Sequence, residues 1–421
     1  MATTTTTAIS ETLRQWRAVQ GDEASLKRDL VSTEEAVPAL GAGEVLVKIR
    51  AAALNFTEPM ILGGTFPTPA PRVVPCSGMA GDIIAVGEGV TSLKIGDRVS
   101  AGRLLAFLEG FPTGQMYGSS SSMARDGMLA EYKVLPAESL VTLPEHLTYE
   151  EASTLSCVGV TAFNCILGGP RKVQKGETVL ILGTGGISLA AAQFARAVGA
   201  EVIFTPSSDA KIAQLKEMGY SKVINYKTHP EWNTEVLKLT NGRGVQHVVE
   251  NGGMGSLARS IGSCEMGCWA HMTGFLDEPS TTSNVSYAAI MRSVVLRGVF
   301  CGPATLFREM NAFISENRLR PVLDKVFEFD QAKKAYEYLG SRGASGDKLG
   351  KVVIRVTEDG AVVARAETKR CINNHGFELA RNHLCQICAL CCPGRVSEPA
   401  ERERGRLDAH FCAHDAQPVC F

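Results

Sequence analysis

The chain has 421 residues, more than one ordinary hydrophobic core organises, so two domains are expected. It is 45% hydrophobic and 21% charged with a net charge of -1, which argues against a nucleic acid or an anionic membrane surface as partner. No apolar run approaches the roughly 18 residues of a membrane span, and "MATTTTTAISETLRQW" lacks the apolar stretch of a secretory signal, so a cytosolic location is expected.

Residues 1–30 are polar with weak helical periodicity. From Gly43 the character changes: "GEVLVKIRAAALNF" alternates apolar and polar and reads as a strand. "GDIIAVGEGVTSLKIGDRVSA", "GMLAEYKVL" and "SLVTLP" add short strands broken by glycine and proline, which suggests a compact, barrel-like β-rich domain to about residue 145. Residues 101–126 read as an exposed loop or lobe whose "GSSSSMARDG" tract is expected to be mobile. "YEEASTLSCVGVTAFNCI" has helical spacing with Glu150 and Glu151 in its first turn. From Glu177 strand-like runs alternate with helices, from "TVLILG" to "VVLRGVF", the pattern of a doubly wound parallel sheet. Two helical stretches and the strand "GKVVIRV" follow, and beyond Val356 no periodicity survives.

The strongest local signal is "VLILGTGGISLAAAQFARAVGA". Gly183, Gly185 and Gly186 follow a buried strand and open a helix, where missing side chains let the backbone turn tightly and approach a pyrophosphate. Ser188 takes the place of the usual third glycine and meets the same need for a small residue between helix and sheet. Dinucleotide binding is expected. An NAD site usually has an acidic residue at the end of the second strand, about 20 residues on. Here that strand ends in Thr205-Pro206-Ser207-Ser208 without an acid. Ser207, Ser208 and Lys211 could instead receive a 2′-phosphate, so NADP(H) is the expected cofactor; Ser208 or Asp209 would also cap the next helix.

With these pieces in order, residues 35–356 resemble the medium-chain dehydrogenase/reductase superfamily. The resemblance rests on "GEVLVKIRAAALN", "AGDIIAVGEGVTSLKIGDRV", "DGMLAEYKVLP", "EEASTLSCVGVTAFN", "LGTGGIS", "KVINYK", "TNGRGVQHVVENGG", "RPVLDKVFEFDQAKKAYEYL" and "GKVVIRV". It looks closest to the branch called zinc-type alcohol dehydrogenase-like proteins. It implies an α/β fold with a GroES-like β-rich catalytic domain and a Rossmann doubly wound parallel sheet. The expected division is 1–159 for the catalytic domain, 160–302 for the nucleotide domain, 303–356 for a return to the first, and 357–421 for a Cys-rich tail.

Zinc-dependent members take their ligands at three places. Here these carry Asn55, the stretch Cys76-Ser77-Gly78, and Cys157. One thiol cannot hold a catalytic zinc, which needs about three protein groups, so no metal is expected. Without a Lewis acid, charge on a substrate oxygen must be met by hydrogen-bond donors. Hydride transfer to an activated C=C bond, as in an enone or quinone, spreads that charge and is common among zinc-less relatives. An alcohol dehydrogenase or ketone reductase without zinc, and a nucleotide-binding protein with little catalysis, are the alternatives.

Asn55 and Thr57 are the candidate catalytic residues, the amide as donor and the hydroxyl as proton relay. Tyr117 and Tyr132 are further candidate proton donors, although core or loop packing explains them as well. The resemblance also implies cofactor contacts from Thr161, Tyr226, Gly274 and Phe275, and less directly from Gly302 and Lys351. Close relatives usually carry Ser-Asp-Gly where this chain has Ser77-Gly78-Met79, a lost acid near the pocket. A homodimer is a further expectation from the family. The tail motif "HLCQICALCCPG" offers Cys385, Cys388, Cys391 and Cys392 with nearby histidines, but its charged, apolar-poor surroundings favour a disordered extension or a gene-prediction artefact over a metal site.

Overall fold

The computed structural model describes residues 10–20, 27–66, 72–275, 284–341 and 349–357. The chain opens with two antiparallel strands, β1 (Thr12–Gln20) and β2 (Arg28–Ala36). This corrects the helical reading of residues 1–30. Leu13, Trp16 and Ala18 are buried at a spacing that mimics a helical stripe, because Gln15 and Trp16 are both buried and break the strand alternation. The Trp16 indole N–H donates to the Phe329 carbonyl at 3.0 Å and ties this pair to the barrel.

The barrel-like unit contains β3 (Glu44–Ala53), α1 (Thr57–Gly63), β4 (Arg72–Val73), β5 (Gly78–Val86), β6 (Arg98–Ala101), β7 (Tyr132–Pro136) and β8 (Leu140–Thr142). Strand β3 is almost wholly buried, Val45, Val47 and Ile49 facing the core with the Ala51–Ala53 run packed behind them. Three alanines in succession keep this end of the strand thin where other elements press on both faces.

The helical stretch that follows is broken in the middle. It runs as α2 (Tyr149–Ser153), a π-helical turn (Leu155–Gly159) and α3 (Val160–Ile166). Thr148 caps α2 by accepting the Glu151 amide while the Glu151 carboxylate accepts the Thr148 amide, a reciprocal capping box.

The nucleotide domain then alternates β9 (Thr178–Leu182), α4 (Gly186–Ala197), β10 (Glu201–Thr205), α5 (Asp209–Glu217), β11 (Lys222–Val223), α6 (Trp232–Leu239), β12 (Val245–Glu250), α7 (Met254–Gly262), β13 (Cys264–Met272), α8 (Val285–Met291) and β14 (Val295–Gly298). The six strands are parallel in the order β11-β10-β9-β12-β13-β14. The order reverses between β9 and β12, so a crevice opens beyond the carboxyl ends of these two strands.

The last segment divides between the two units. Helix α9 (Ala304–Glu316) packs on both: Phe313 lies 5.7 Å from the ring of Phe163 and 6.0 Å from that of Phe194, while the Asn311 side-chain amide donates to the Thr142 carbonyl of β8 at 2.7 Å. Strand β15 (Leu323–Glu328), helix α10 (Ala332–Gly340) and strand β16 (Lys351–Arg355) return to the barrel, completing the order β15-β16-β3-β5-β6-β8 with β7 on β3.

The polar tract "GSSSSMARDG" is no outer loop. Ser120, Ser121 and Ser122 are buried, and bridges from Leu104 to Ser120 and from Ser121 to Arg125 fold the tract inward. Among the described residues no helix is long and apolar enough to cross a membrane. The Cys-rich tail from residue 358 onward lies outside the described residues.

Candidate functional site

The glycine turn between β9 and α4 is built as its spacing suggests. Gly183 has φ +68, a left-handed conformation that side chains resist, and Gly186 begins the helix. Ser188 is buried; its hydroxyl donates to the Leu182 carbonyl at 2.7 Å and accepts from Asn251 at 3.0 Å. It therefore seals helix against strand, leaving the amides at the start of α4 for an anionic ligand.

The tip of β10 gathers the other cofactor candidates. Lys211 Nζ donates to Ser207 Oγ at 3.2 Å, Ser208 caps α5 by accepting the Lys211 amide, and the Tyr226 amide donates to the Pro206 carbonyl at 3.1 Å. Asp209, the acid nearest this tip, is held by the Asn225 side-chain amide at 2.9 Å. The capping and ligand-binding readings of Ser208 are compatible.

Gly274 and Phe275 follow β13 on the same edge of the sheet. A Cβ at Gly274 would meet the Asn251 carbonyl at 2.4 Å, so only glycine lets the two loops pass, and Phe275 is exposed. Thr161 lies in α3, its hydroxyl donating to the Cys157 carbonyl at 2.7 Å just after the π-helical turn, a local irregularity that often marks functional sites. Gly302 has a packing explanation: a Cβ there would strike Val160 Cγ2 at 2.8 Å and Leu306 Cδ2 at 2.9 Å.

Lys351 joins the two domains at the site. The amide of Gly350, at φ +86, donates to the Thr184 carbonyl inside the glycine turn at 3.3 Å. The Lys351 stem then crosses Gly186, where a Cβ would come within 2.6 Å of its Cδ. Its ammonium donates to the Leu54 carbonyl and, at 2.8 Å, to Asn55 Oδ1. The Asn55 amide nitrogen in turn donates to Ser77 Oγ at 3.0 Å. Both side chains are buried. Gly186 is thus needed twice, for the helix start and for the path of this lysine.

This arrangement does not fit zinc. An ammonium already engages the residue at the first ligand position, and a dication there would be repelled at short range. Among the described residues no group of three or more His, Cys, Asp or Glu side chains could hold a metal ion. Beside Asn55, Thr57 starts α1 with its Oγ1 buried and without a hydrogen-bond partner.

Of the two candidate tyrosines, Tyr132 packs on the barrel core, and burial pushes its phenol up. Tyr117 lies against Phe300 with ring centroids 5.4 Å apart. Gly78, in place of the acid of close relatives, has room for nothing larger, since a Cβ would come within 2.8 Å of the Ser153 carbonyl.

Three buried polar residues escape a reading by motif. Glu250 ends β12, and its carboxylate gathers the amides of Gly252 and Gly253 at 2.7 and 3.1 Å and the hydroxyls of Ser256 and Ser260, which shapes the β12–α7 loop. Burial nonetheless raises its pKa. Glu58 in α1 is fully buried, and burial raises its carboxyl pKa too. One of its oxygens accepts the Cys76 amide at 3.2 Å. Arg103 is the third, buried on the lobe between β6 and β7.

Comparison with known proteins agrees with this architecture. The model of the alcohol dehydrogenase GroES-like domain matches residues 41–145, and that of the zinc-binding dehydrogenase family matches residues 186–316. A zinc-type alcohol dehydrogenase-like protein of Schizosaccharomyces pombe is 42% identical over 346 residues, covering 81% of this chain and 99% of the relative. A quinone oxidoreductase of Pseudomonas aeruginosa is 27% identical over 345 residues, covering 80% and 98%. Among solved structures, one from Sinorhizobium meliloti assigned as an alcohol dehydrogenase superposes with a TM-score of 0.75 at 31% identity, covering 83% of this chain and all of that one. The chain belongs to the medium-chain dehydrogenase/reductase superfamily, an oxidoreductase family that works with nicotinamide cofactors.

Proposed function

We propose that this protein is a zinc-independent, NADP(H)-dependent reductase of activated C=C bonds, acting on an enone, enoyl compound or quinone. The observation that carries this reading is the buried Lys351–Asn55 pair at the first ligand position of zinc relatives. The bound cofactor supplies the hydride. The glycine turn of Gly183, Gly185 and Gly186 would receive the pyrophosphate, and Ser207, Ser208, Lys211 and Tyr226 the 2′-phosphate and adenine. Thr161, Gly274 and Phe275 would line the nicotinamide end.

The chain's own residues would then manage charge and protons. The Lys351 ammonium polarises the Asn55 amide through Oδ1, which makes the amide N–H a stronger donor. Nδ2 carries two hydrogens and spends one on Ser77, so the other can meet an oxyanion as it develops on the substrate. The Thr57 hydroxyl, buried without a partner, is positioned to pass a proton. A conjugated acceptor suits such donors better than a plain ketone, because delocalised charge needs less concentrated stabilisation than zinc gives an alkoxide. The quinone oxidoreductase relative supports the same choice.

The six described cysteines are all unpaired, in keeping with a reducing cytosol. Small-molecule substrates, rather than nucleic acid or membrane, are the expected partners, with a second copy of the chain as the assembly.

The test is a screen of NADPH and NADH oxidation over enones, quinones and ketones. NADPH with an enone or quinone is expected to turn over fastest; a ketone preference would favour carbonyl reduction on the same scaffold. Lys211→Ala should lower the NADPH-over-NADH preference by about 10- to 100-fold, the scale of a hydrogen bond to a charged group. An unchanged preference would move the 2′-phosphate site elsewhere.

A further inference from the structure

Arg103 is only 5% exposed. Its Nε has no hydrogen-bond partner, Nη2 meets only the thioether of Met123 at 2.9 Å, and the guanidinium lies 5.6 Å from the Phe300 ring centroid. No carboxylate of the described residues is hydrogen-bonded to it. A buried guanidinium in such company is costly unless it has work to do.

Arg103 lowers the carboxyl pKa of Glu58 through space, so the two groups feel each other without touching. Glu58 is the neighbour of Thr57, and its Oε1 is likewise unpartnered. Arg103 also acts through space on Cys301, which feels Cys157 as well, the residue whose carbonyl binds the Thr161 hydroxyl. Burial raises the Cys301 thiol to about 12, so it supplies no counter-charge. The hydroxyls of Ser120, Ser121 and Ser122 add three more unpartnered groups, and the Ser121 amide donates to the Arg103 carbonyl at 3.0 Å. Buried polar groups left unpaired in this number, a guanidinium among them, suit a ligand site better than a structural network.

We propose that Arg103 anchors a carboxylate on the substrate, whose conjugated part lies along the partly exposed rings of Phe300 and Tyr117. The substrate class is then a conjugated carbonyl compound that carries a carboxylate. One carboxylate oxygen accepts from Nε of the guanidinium, and the unpartnered serine hydroxyls would supply donors to the other. The guanidinium carbon lies 5.6 Å from the Phe300 ring centroid, and Nε has no hydrogen-bond partner to compete with such an acceptor. This inference rests on the proposed enone or quinone reduction for its chemistry, but not for its binding.

The experiment uses the full chain with NADPH and two substrates, a benzalacetone bearing a ring carboxylate and its methyl ester. The wild type is expected to show a kcat/KM at least ten times higher for the carboxylate. Arg103→Met should bring that ratio close to one, and Arg103→Lys should restore part of it. Equal use of acid and ester by the wild type, or an equal loss of both in Arg103→Met, would overturn the proposal. Calorimetry on the wild type needs neither turnover nor a variant that folds. The saturated products, 4-(3-oxobutyl)benzoate and its methyl ester, should differ at least tenfold in affinity, and equal affinity overturns the anchor. If the acid binds selectively while no acceptor is reduced, the hydride-transfer reading fails and the anion site stands.

Discussion

Lys351 carries the sharpest prediction at the level of single residues. Its ammonium touches Asn55, its stem crosses Gly186, and its backbone neighbour binds the glycine turn. Lys351→Met should lower kcat/KM by about 10²-fold, the scale of losing one oxyanion donor, with kcat falling more than KM rises. Steady-state kinetics on the best acceptor from the screen would check it; a change in KM alone would reduce Lys351 to a binding role. Asn55 and Thr57 stood out in the sequence as candidates because the resemblance gives their positions a meaning. Glu58 and Arg103 did not. An isolated acid and an isolated base, far apart in the chain, look like surface residues until folding buries both. Lys351 was visible only as a weak cofactor candidate, since nothing along the chain joins it to Asn55.

Single elements explain one departure from relatives, one dependence on pH and two misreadings. Gly78 begins β5 against the Ser153 carbonyl, so restoring the acid of close relatives by Gly78→Asp should destabilise the protein by about 2–4 kcal/mol through overpacking and an unpaired buried carboxyl. Urea unfolding would register the loss, and a neutral result would mean that the turn before β5 yields. Strands β12 and β13 bring His247 and His271 together as stacked, buried rings 5.5 Å apart. Burial lowers their pKa values to about 4 and about 3, with Arg171 also disfavouring the charged His247. Because the folded values lie below the unfolded ones, stability is intact above about pH 6.5 and is lost as pH falls, when the unfolded chain takes up protons that the folded rings refuse. At pH 5 the loss is about 2 kcal/mol per ring, and replacing both by glutamine should flatten the pH dependence of denaturant midpoints between pH 7 and 5. The misread elements share a cause. Strand β1 breaks its own alternation at Gln15 and Trp16, and the serine tract is polar yet buried, so local pattern pointed away from the packing that prevails.

At the largest scale the described residues form a barrel-like unit and a Rossmann sheet, tied together where Gly350 and Lys351 meet the glycine turn. Among the described residues strand β14 is the last of the six in the Rossmann sheet, and α8 before it exposes Tyr287, Ile290 and Met291. Such an apolar patch beside a sheet edge suits association of two copies. Light scattering is expected to give a dimer, and Ile290→Lys to shift it toward monomer; a monomeric wild type would remove this assembly.

Read along the chain alone, residue spacing already carries the strand–helix alternation of the nucleotide domain, its doubly wound sheet, the glycine turn and the loss of the usual zinc ligands, whereas the two opening strands were not legible there. Each legible feature follows from residue spacing along the chain, where glycine conformation, strand periodicity and ligand chemistry act locally. Folding is what brings an ammonium from the last strand to Asn55, buries Arg103 and one oxygen of Glu58 without hydrogen-bond partners, and turns the serine tract inward. Those relations depend on which distant groups share a low-dielectric interior, and burial sets their energies only in the folded chain.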